Sequence, residues 1–300
     1  MVVKHGQAVV LMVITTLLWS TAGVVSRHLE QAQAFEITFW RSLFTAVSLT
    51  IILPIWQGWG VWKRIRHEGK ALLASGFCWS LMFTAFMVGL ALTSVANVLI
   101  TLATGPLITA LISRIFYGER LKTRTWLAIA MAGSGIAWMF ARQISGDEGW
   151  LGSLVALGAP LGGAFNWNLV KRSQQAGHSV DLVPAVWLGG ILSALFTLPL
   201  AWPLGASAFD LSLLAGLGLF QLAIPCSLAV IAARSLAPAE MSLLGLLEVL
   251  FGIFLAWIGA NETPQIYVFQ GGVLVLFALV MNEWLSWRER QQAVMQTPLA

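Results

Sequence analysis

What this chain has least of is charge. Asp, Glu, Lys and Arg make up 10% of its 300 residues, and the acids number only thirteen. A soluble chain carries about 25%, so the one or two soluble domains that this length could otherwise hold are excluded. Cysteine is nearly missing. Cys78 and Cys226 each sit inside an apolar stretch, so neither a disulfide framework nor a metal site is expected. The four histidines, His5, His28, His67 and His178, fall in loops or at a terminus. None is spaced as a metal pair, which argues against a membrane metalloenzyme. No Gly-rich loop ending in Gly-Lys-Ser/Thr is present, which argues against direct use of ATP. Gly133-Ser134-Gly135 superficially resembles a serine-nucleophile turn, but no histidine lies in an apolar stretch to activate it. A membrane-embedded lipid enzyme would need a reactive constellation that the sequence lacks. No enzyme activity, cofactor or metal is expected.

Apolar residues, by contrast, reach 58%, with fifteen Trp and a mean hydropathy of +0.81. Ten stretches are long enough to cross a bilayer: 7–26, 36–57, 71–91, 94–117, 125–141, 150–170, 183–202, 211–233, 240–259 and 266–287. The first lacks a small-residue cleavage site and reads as a retained helix. Connectors are short, which leaves a receptor or scaffold no extramembrane domain to work with. Most Trp, such as Trp56, Trp59, Trp62, Trp126, Trp150, Trp284 and Trp287, lie near span ends as interface anchors.

The net charge of +4 and pI near 9.4 could suggest nucleic acid, but the placement of the basic residues explains them better. If ten spans alternate from a cytoplasmic N-terminus, one side holds Lys4, Lys63, Arg64, Arg66, Lys70, Arg114, Arg120, Lys122, Arg124, Lys171, Arg172, Arg234, Arg288 and Arg290. The other holds Arg27 and Arg142, with Arg41 inside the second span. Fourteen against two is a positive-inside pattern that puts both termini in the cytoplasm. Shifting the chain by 143 residues lays Ser94–Glu119 over Ala237–Glu262 with little identity but a similar apolar pattern. Residues 1–145 and 146–300 then read as two five-helix repeats. Five is odd, so the second repeat enters the membrane inverted, the design of secondary transporters with a site at mid-depth. The fold expected is an all-α membrane protein of ten transmembrane helices, two inverted repeats around a central cavity.

Candidate site residues follow from polarity inside the spans. Ser94, Asn97, Thr101 and Thr104 recur at three, four and three, one stripe on one helix face, and Gly105-Pro106 breaks the same helix midway. The stripe reads as a cavity lining or as glue to neighbouring helices. Asn166 and Gln221 are amides with the same two readings. Arg41, about five residues into its span, reads as a lock near the outer surface or as a cavity group. Glu248, about 12 Å deep at ~1.5 Å per residue, could meet a substrate ammonium or carry a coupling proton, or be a carboxyl held between helices. Trp79, Phe83 and Phe86 share one face; Trp19, followed by Ser20, and Trp167 lie deep. A pocket walled by aromatics and a few amides suits an amphipathic or aromatic small molecule. The candidate binding set is Trp19, Ser20, Trp79, Phe83, Asn97, Thr101, Asn166, Trp167, Gln221 and Glu248. Small residues at Gly158 and Gly162, and at Gly133 and Ala137, mark close helix packing, and Pro106, Pro160 and Pro225 mark kinks.

These features resemble the drug/metabolite transporter superfamily in its ten-helix exporter branch. Leu17-Leu18-Trp19-Ser20-Thr21 looks like that family's opening, Trp40-Arg41-Ser42-Leu43 its second-helix Arg motif, and Pro106 followed by Gly118-Glu119-Arg120-Leu121 its fourth-helix signature. Glu248 matches the Glu of a Glu-Pro pair, with Val249 in place of Pro, and Asn261-Glu262 stands where Gly-Glu is usual. The helix-one motif is similar to that of bacterial aromatic-amino-acid exporters. The resemblance implies an inner-membrane exporter of small metabolites, most of all aromatic or hydrophobic amino acids, with drug-like organic cations as the alternative. It implies a cavity formed by helices one, three, four, six, eight and nine, alternating access, and helices five and ten as peripheral braces. The partners implied are substrate and the lipid bilayer, with no nucleic acid, in a monomer or homodimer.

Overall fold

An apolar segment in hydrocarbon has no water to take its N–H and C=O groups, so it must pair them within itself. The computed structural model describes residues 3–26, 28–67, 69–93, 95–140, 150–175, 181–260 and 265–296, and among them every regular element is helical. In chain order these are α1 (His5–Trp19), α2 (Thr21–Ser26), α3 (Ala34–Gln57), α4 (Val61–His67), α5 (Gly69–Leu92), α6 (Val95–Ala103), α7 (Gly105–Tyr117) and α8 (Thr123–Phe140). There follow α9 (Trp150–Ala156), α10 (Gly158–Gln175), α11 (Pro184–Ala201), α12 (Ala208–Gly216), a π-helical segment (Leu217–Ala223), α13 (Ile224–Ala233), α14 (Pro238–Gly245), α15 (Leu247–Ala260) and α16 (Ile266–Gln296).

Ten spans are expected from the sequence. Among the described residues, eight helical stretches are long and apolar enough to cross a membrane: 5–26, 34–57, 69–92, 97–117, 184–201, 208–233, 238–255 and 266–289. The remaining two stretches, α8 and α9–α10, are helical but diluted by polar groups. Arg124 and Gly133-Ser134-Gly135 do this in α8, and Asn166, Asn168, Lys171 and Arg172 in α10.

Five of the long helical stretches are broken. Ser20 and Thr21 turn their hydroxyls back onto Leu17 O and Leu18 O, both at 2.7 Å, where α1 gives way to α2; such back-bonding loosens a helix. Pro106 and Pro160 lie just past the α6/α7 and α9/α10 breaks, each unable to donate to the preceding turn. Ahead of Pro225 the chain widens into the π-helical segment, with Ile224 N reaching back to Leu219 O. The break between α14 and α15 falls at Leu246. The three proline breaks match the sequence expectation; those at Ser20 and Leu246 have no proline to announce them.

Close packing fixes the rest. A Cβ on Gly162 would lie 2.9 Å from Cys78 O, and one on Gly158 2.8 Å from Ala85 Cβ, so α10 rides directly on α5. Ser75 to Asn166 Oδ1 at 2.6 Å and Ser113 to Asn168 Oδ1 at 2.7 Å tie α10 to α5 and α7. α11 joins α3 through Ser42 and Ser193, 3.0 Å apart. α8 and α16 pack as a pair. There the close approach is made by Gly135, whose Cβ would lie 2.8 Å from Gly271 O, whereas Gly133 has nothing within 4 Å. The packing glycine expected at 133 is therefore two residues further on, because 133 faces away from the partner helix.

Residues of α1, α13, α14, α8 and α16 meet at one end, hereafter the basic end. There His5 Nε2 lies 2.8 Å from Glu240 Oε1, Ser235 donates to Val3 O at 2.8 Å, Arg234 pairs with Asp181 at 2.5 Å, and Lys122 pairs with Glu289. At the opposite end two buried carboxylates hold loops. Asp210 accepts from the backbone N–H groups of Glu30 (2.9 Å), Gln31 (3.0 Å) and Ala32 (3.2 Å), and Glu36 from those of Gly205 (2.9 Å) and Ala206 (2.8 Å).

Candidate functional site

All five breaks open onto one place. Trp19, Gly105, Pro160, Gln221 with Leu222, and Gly245 with Leu246 line a single cavity of ≈ 150 Å³. A broken backbone at membrane depth is tolerated where it lines such a cavity. Unbroken α5 contributes Trp79, Met82, Phe83 and Phe86 to the same wall. The cavity would hold a group of about benzene size, since an apolar hole of ~150 Å³ accepts benzene.

Its wall is aromatic and soft. Trp79 is fully buried, edge-on to Trp167 with centroids 5.6 Å apart at 82°, and 5.6 Å from the Phe83 ring. Met12, Met82 and Met241 fill between them, and unbranched thioethers repack around ligands of differing shape. Arg41, Gln221 and Glu248 supply most of the wall's polarity, with Ser242 beside them. Arg41 is 2% exposed and donates from Nη1 to Gln221 Oε1 at 3.3 Å; its Nε has no partner. Gln221 Nε2 in turn donates to Trp19 O at 3.4 Å. Glu248 is half-buried in the same wall, and among the described residues it makes no hydrogen bond or ion pair. The indole Nε1 of Trp79 is also buried without an acceptor.

Of the ten residues singled out from sequence, Trp19, Trp79, Phe83, Trp167, Gln221 and Glu248 are brought together here. Four are not. Ser20 bonds its own helix at Leu17 O. Asn97 Nδ2 donates to Thr93 Oγ1, in the link before α6, at 2.9 Å, and Thr101 Oγ1 to Asn97 O, one turn back along α6, at 2.7 Å. Thr104 likewise donates to Thr101 O, and Ser94 lies outside the described residues. The cavity face of α6–α7 is Leu102 and Gly105 instead. Asn166 is fully buried against Ser75 of α5. Thr101 and Thr104 thus place their hydroxyls on the backbone of the preceding turn, a local bond that competes with other partners. His178, Arg142 and Asn261-Glu262 also fall outside the described residues.

Arg41, outside the set of ten, also lines the cavity. Its depth, five residues into a span, fits the lock and the cavity alike; what decides is its contact with Gln221, 180 residues away in sequence. The methionines carry no sequence signal of this kind. The histidines, unpaired in sequence, are not all isolated in space: donor atoms of His5, Glu240 and Glu283 lie within 4.8 Å of one another at the basic end.

A multi-pass membrane bundle of helices broken around a central cavity is the class that fold and site define. More particularly, the chain belongs to the EamA-like transporter family, whose profile matches residues 6–141 and again residues 150–283. An uncharacterized transporter of Pseudomonas aeruginosa is 24% identical over 190 residues, 62% of this chain and 59% of that protein. An uncharacterized transporter of Vibrio cholerae is 27% identical over 128 residues, 40% of each chain; these two relatives are thus matched over about half their length. A riboflavin transporter of Rhizobium johnstonii is 26% identical over 295 residues, 94% of this chain and 93% of that one. A protein of known crystal structure shares the fold with a TM-score of 0.75 at 15% identity, over 95% of this chain and 99% of that one.

Proposed function

We propose that this chain is a secondary exporter of small metabolites, most of all aromatic and hydrophobic amino acids, working by alternating access about the central cavity. The observation that carries the reading is the aromatic cavity where five broken helices meet. Broken helices around a mid-depth site let two halves rock while the site stays put. In this reading ten helices cross the bilayer as two inverted halves, 1–145 and 146–300. The fourteen basic residues on one side support an inner-membrane placement with both termini in the cytoplasm. The α8–α16 pair braces the periphery. The unit is a monomer or homodimer that needs no cofactor.

A second reading is favoured by the Rhizobium relative, which aligns over nearly the whole chain: a planar heteroaromatic such as a flavin. A flavin has no need of the opposed charges of Arg41 and Glu248, which is why the amino-acid reading stands first. Flux into proteoliposomes holding the purified protein separates the two. We expect saturable movement of labelled tryptophan and phenylalanine above empty vesicles, and none of glutamate. Saturable riboflavin flux without any amino-acid flux would replace the first reading with the second. Drug-like cations, the remaining alternative, would inhibit competitively and move without a carboxylate.

A further inference from the structure

We propose that Arg41 and Glu248 form the two ends of a head-group clamp for a zwitterion, Arg41 receiving the carboxylate beside Gln221 and Glu248 receiving the ammonium. This rests on the amino-acid reading above. A guanidinium carries five N–H donors. Arg41 is 2% exposed, yet it has one protein acceptor, the neutral Gln221 carbonyl at 3.3 Å, and its Nε has none. A buried charge that no carboxylate meets in a direct ion pair is costly and persists where something else supplies the partner. The fork of N–H groups matches a carboxylate in two parallel bonds.

Glu248 completes the argument. It shares the cavity wall with Arg41, and among the described residues no ion pair joins the two. Had the fold needed these charges for its own stability, joining them would have been the simplest use. Held apart, each stays available, one on α3 and one on α15. Gln221 is oriented by its bond to Trp19 O, so its carbonyl holds the Arg41 site until a carboxylate displaces it. The unpaired Trp79 indole N–H is a further donor on the same wall. Trp79, Trp167 and Phe83 then enclose the apolar side chain of the ligand. A cation lacking a carboxylate would face Arg41 unpaired, and an acid lacking an amine would face Glu248 unpaired, so the clamp selects against both.

The test is competition against labelled tryptophan flux in proteoliposomes, using tryptophan, tryptamine (no carboxylate) and indole-3-propionate (no amine). With the unaltered protein, tryptophan should compete about 100-fold better than either analogue, the usual consequence of leaving one buried charge unpaired. Arg41→Gln should erase most of the discrimination against tryptamine while keeping that against indole-3-propionate. Glu248→Gln should do the reverse, and it keeps the test open if the arginine variant does not fold. This crossed pattern is not produced by general damage. Analogues that compete as well as tryptophan, or variants that lose both discriminations alike, would overturn the clamp while leaving amino-acid transport standing. No flux of any amino acid by the unaltered protein would sink the transport reading and the clamp together.

Discussion

The two ends of the bundle are held by different chemistry. At the basic end, charged side chains pair across helices, His5 with Glu240, Arg234 with Asp181, and Lys122 and Arg124 with Glu289, and backbone caps such as Ala237 N on Glu240 and Val183 N on Asp181 are local to one element. At the other end, carboxylates meet backbone. Asp210 and Glu36, 0% and 2% exposed, gather loop N–H groups. Side-chain pairs can exchange partners or take water as helices part. A buried carboxylate capping several amides cannot be released without leaving those amides unpaired. The difference teaches where the molecule is fastened and where it is latched. The carboxylate end is fixed by backbone contacts between the start of α3, the loop before it, and the chain entering α12. The basic end is joined across helices by side-chain ion pairs, which can exchange partners.

Substitutions break or sharpen this contrast, and their effects should fall in a definite order. Asp210→Ala should be the most damaging. Besides the three loop N–H groups it removes the acceptor for Ser207 N at 3.4 Å, and a drop of many degrees in melting temperature in detergent is expected, with the 30–32 loop newly open to hydrogen exchange. Glu36→Gln should come next. Its Oε1 takes Gly205 N, Ala206 N and Trp40 Nε1 at 2.9, 2.8 and 3.2 Å; an amide oxygen can keep those bonds but loses the charge that strengthens them, about 1–2 kcal/mol by denaturant titration. Glu240→Gln should lower stability by about 1–2 kcal/mol, since an amide keeps an acceptor for Ala237 N, yet change the flux rate by severalfold, because His5 and Glu240 join α1 to α14 at the basic end. Lys122→Ala should be nearly silent, within about 0.5 kcal/mol, since its side chain is 62% exposed. A Glu240→Gln variant that lost stability like Asp210→Ala with unchanged flux would erase the distinction between latch and fastener.

Much of this architecture is legible from the residues, and the exceptions have physical causes. Apolar runs locate the helices because a membrane segment has one way to satisfy its backbone. The proline breaks are legible because proline lacks a donor. Ser20 and Leu246 are not, since a back-bonding hydroxyl or a flexible Gly245 only permits a break that packing must choose. α8 and α10 read as spans by length, although their own polar residues dilute them. For the cavity, the bulky deep aromatics named from sequence all line it. Trp19, Trp79 and Trp167 are too large to be placed without shaping what lies around them. The small polar residues mostly do not line it: a Thr or Asn can bond its own preceding turn, as Thr101 and Asn97 do, or a neighbour, as Asn166 does with Ser75. Periodicity cannot separate those outcomes from cavity lining. Arg41 and Gln221 meet only once two distant helices pack, and no spacing within either helix contains that contact.

The central claim is that ligand occupies the cavity where the broken helices meet. Gly245 lines that cavity, and a Cβ built on it meets nothing within 4 Å. Gly245→Leu should therefore carry a side chain into this space, its Cβ free of contact, without removing any polar group. Tryptophan binding to the purified protein, measured by calorimetry, is the most direct test. The account predicts that Gly245→Leu keeps its melting temperature within a few degrees and weakens tryptophan binding by at least about tenfold. Undiminished tryptophan binding by the folded variant would contradict it and move the site elsewhere.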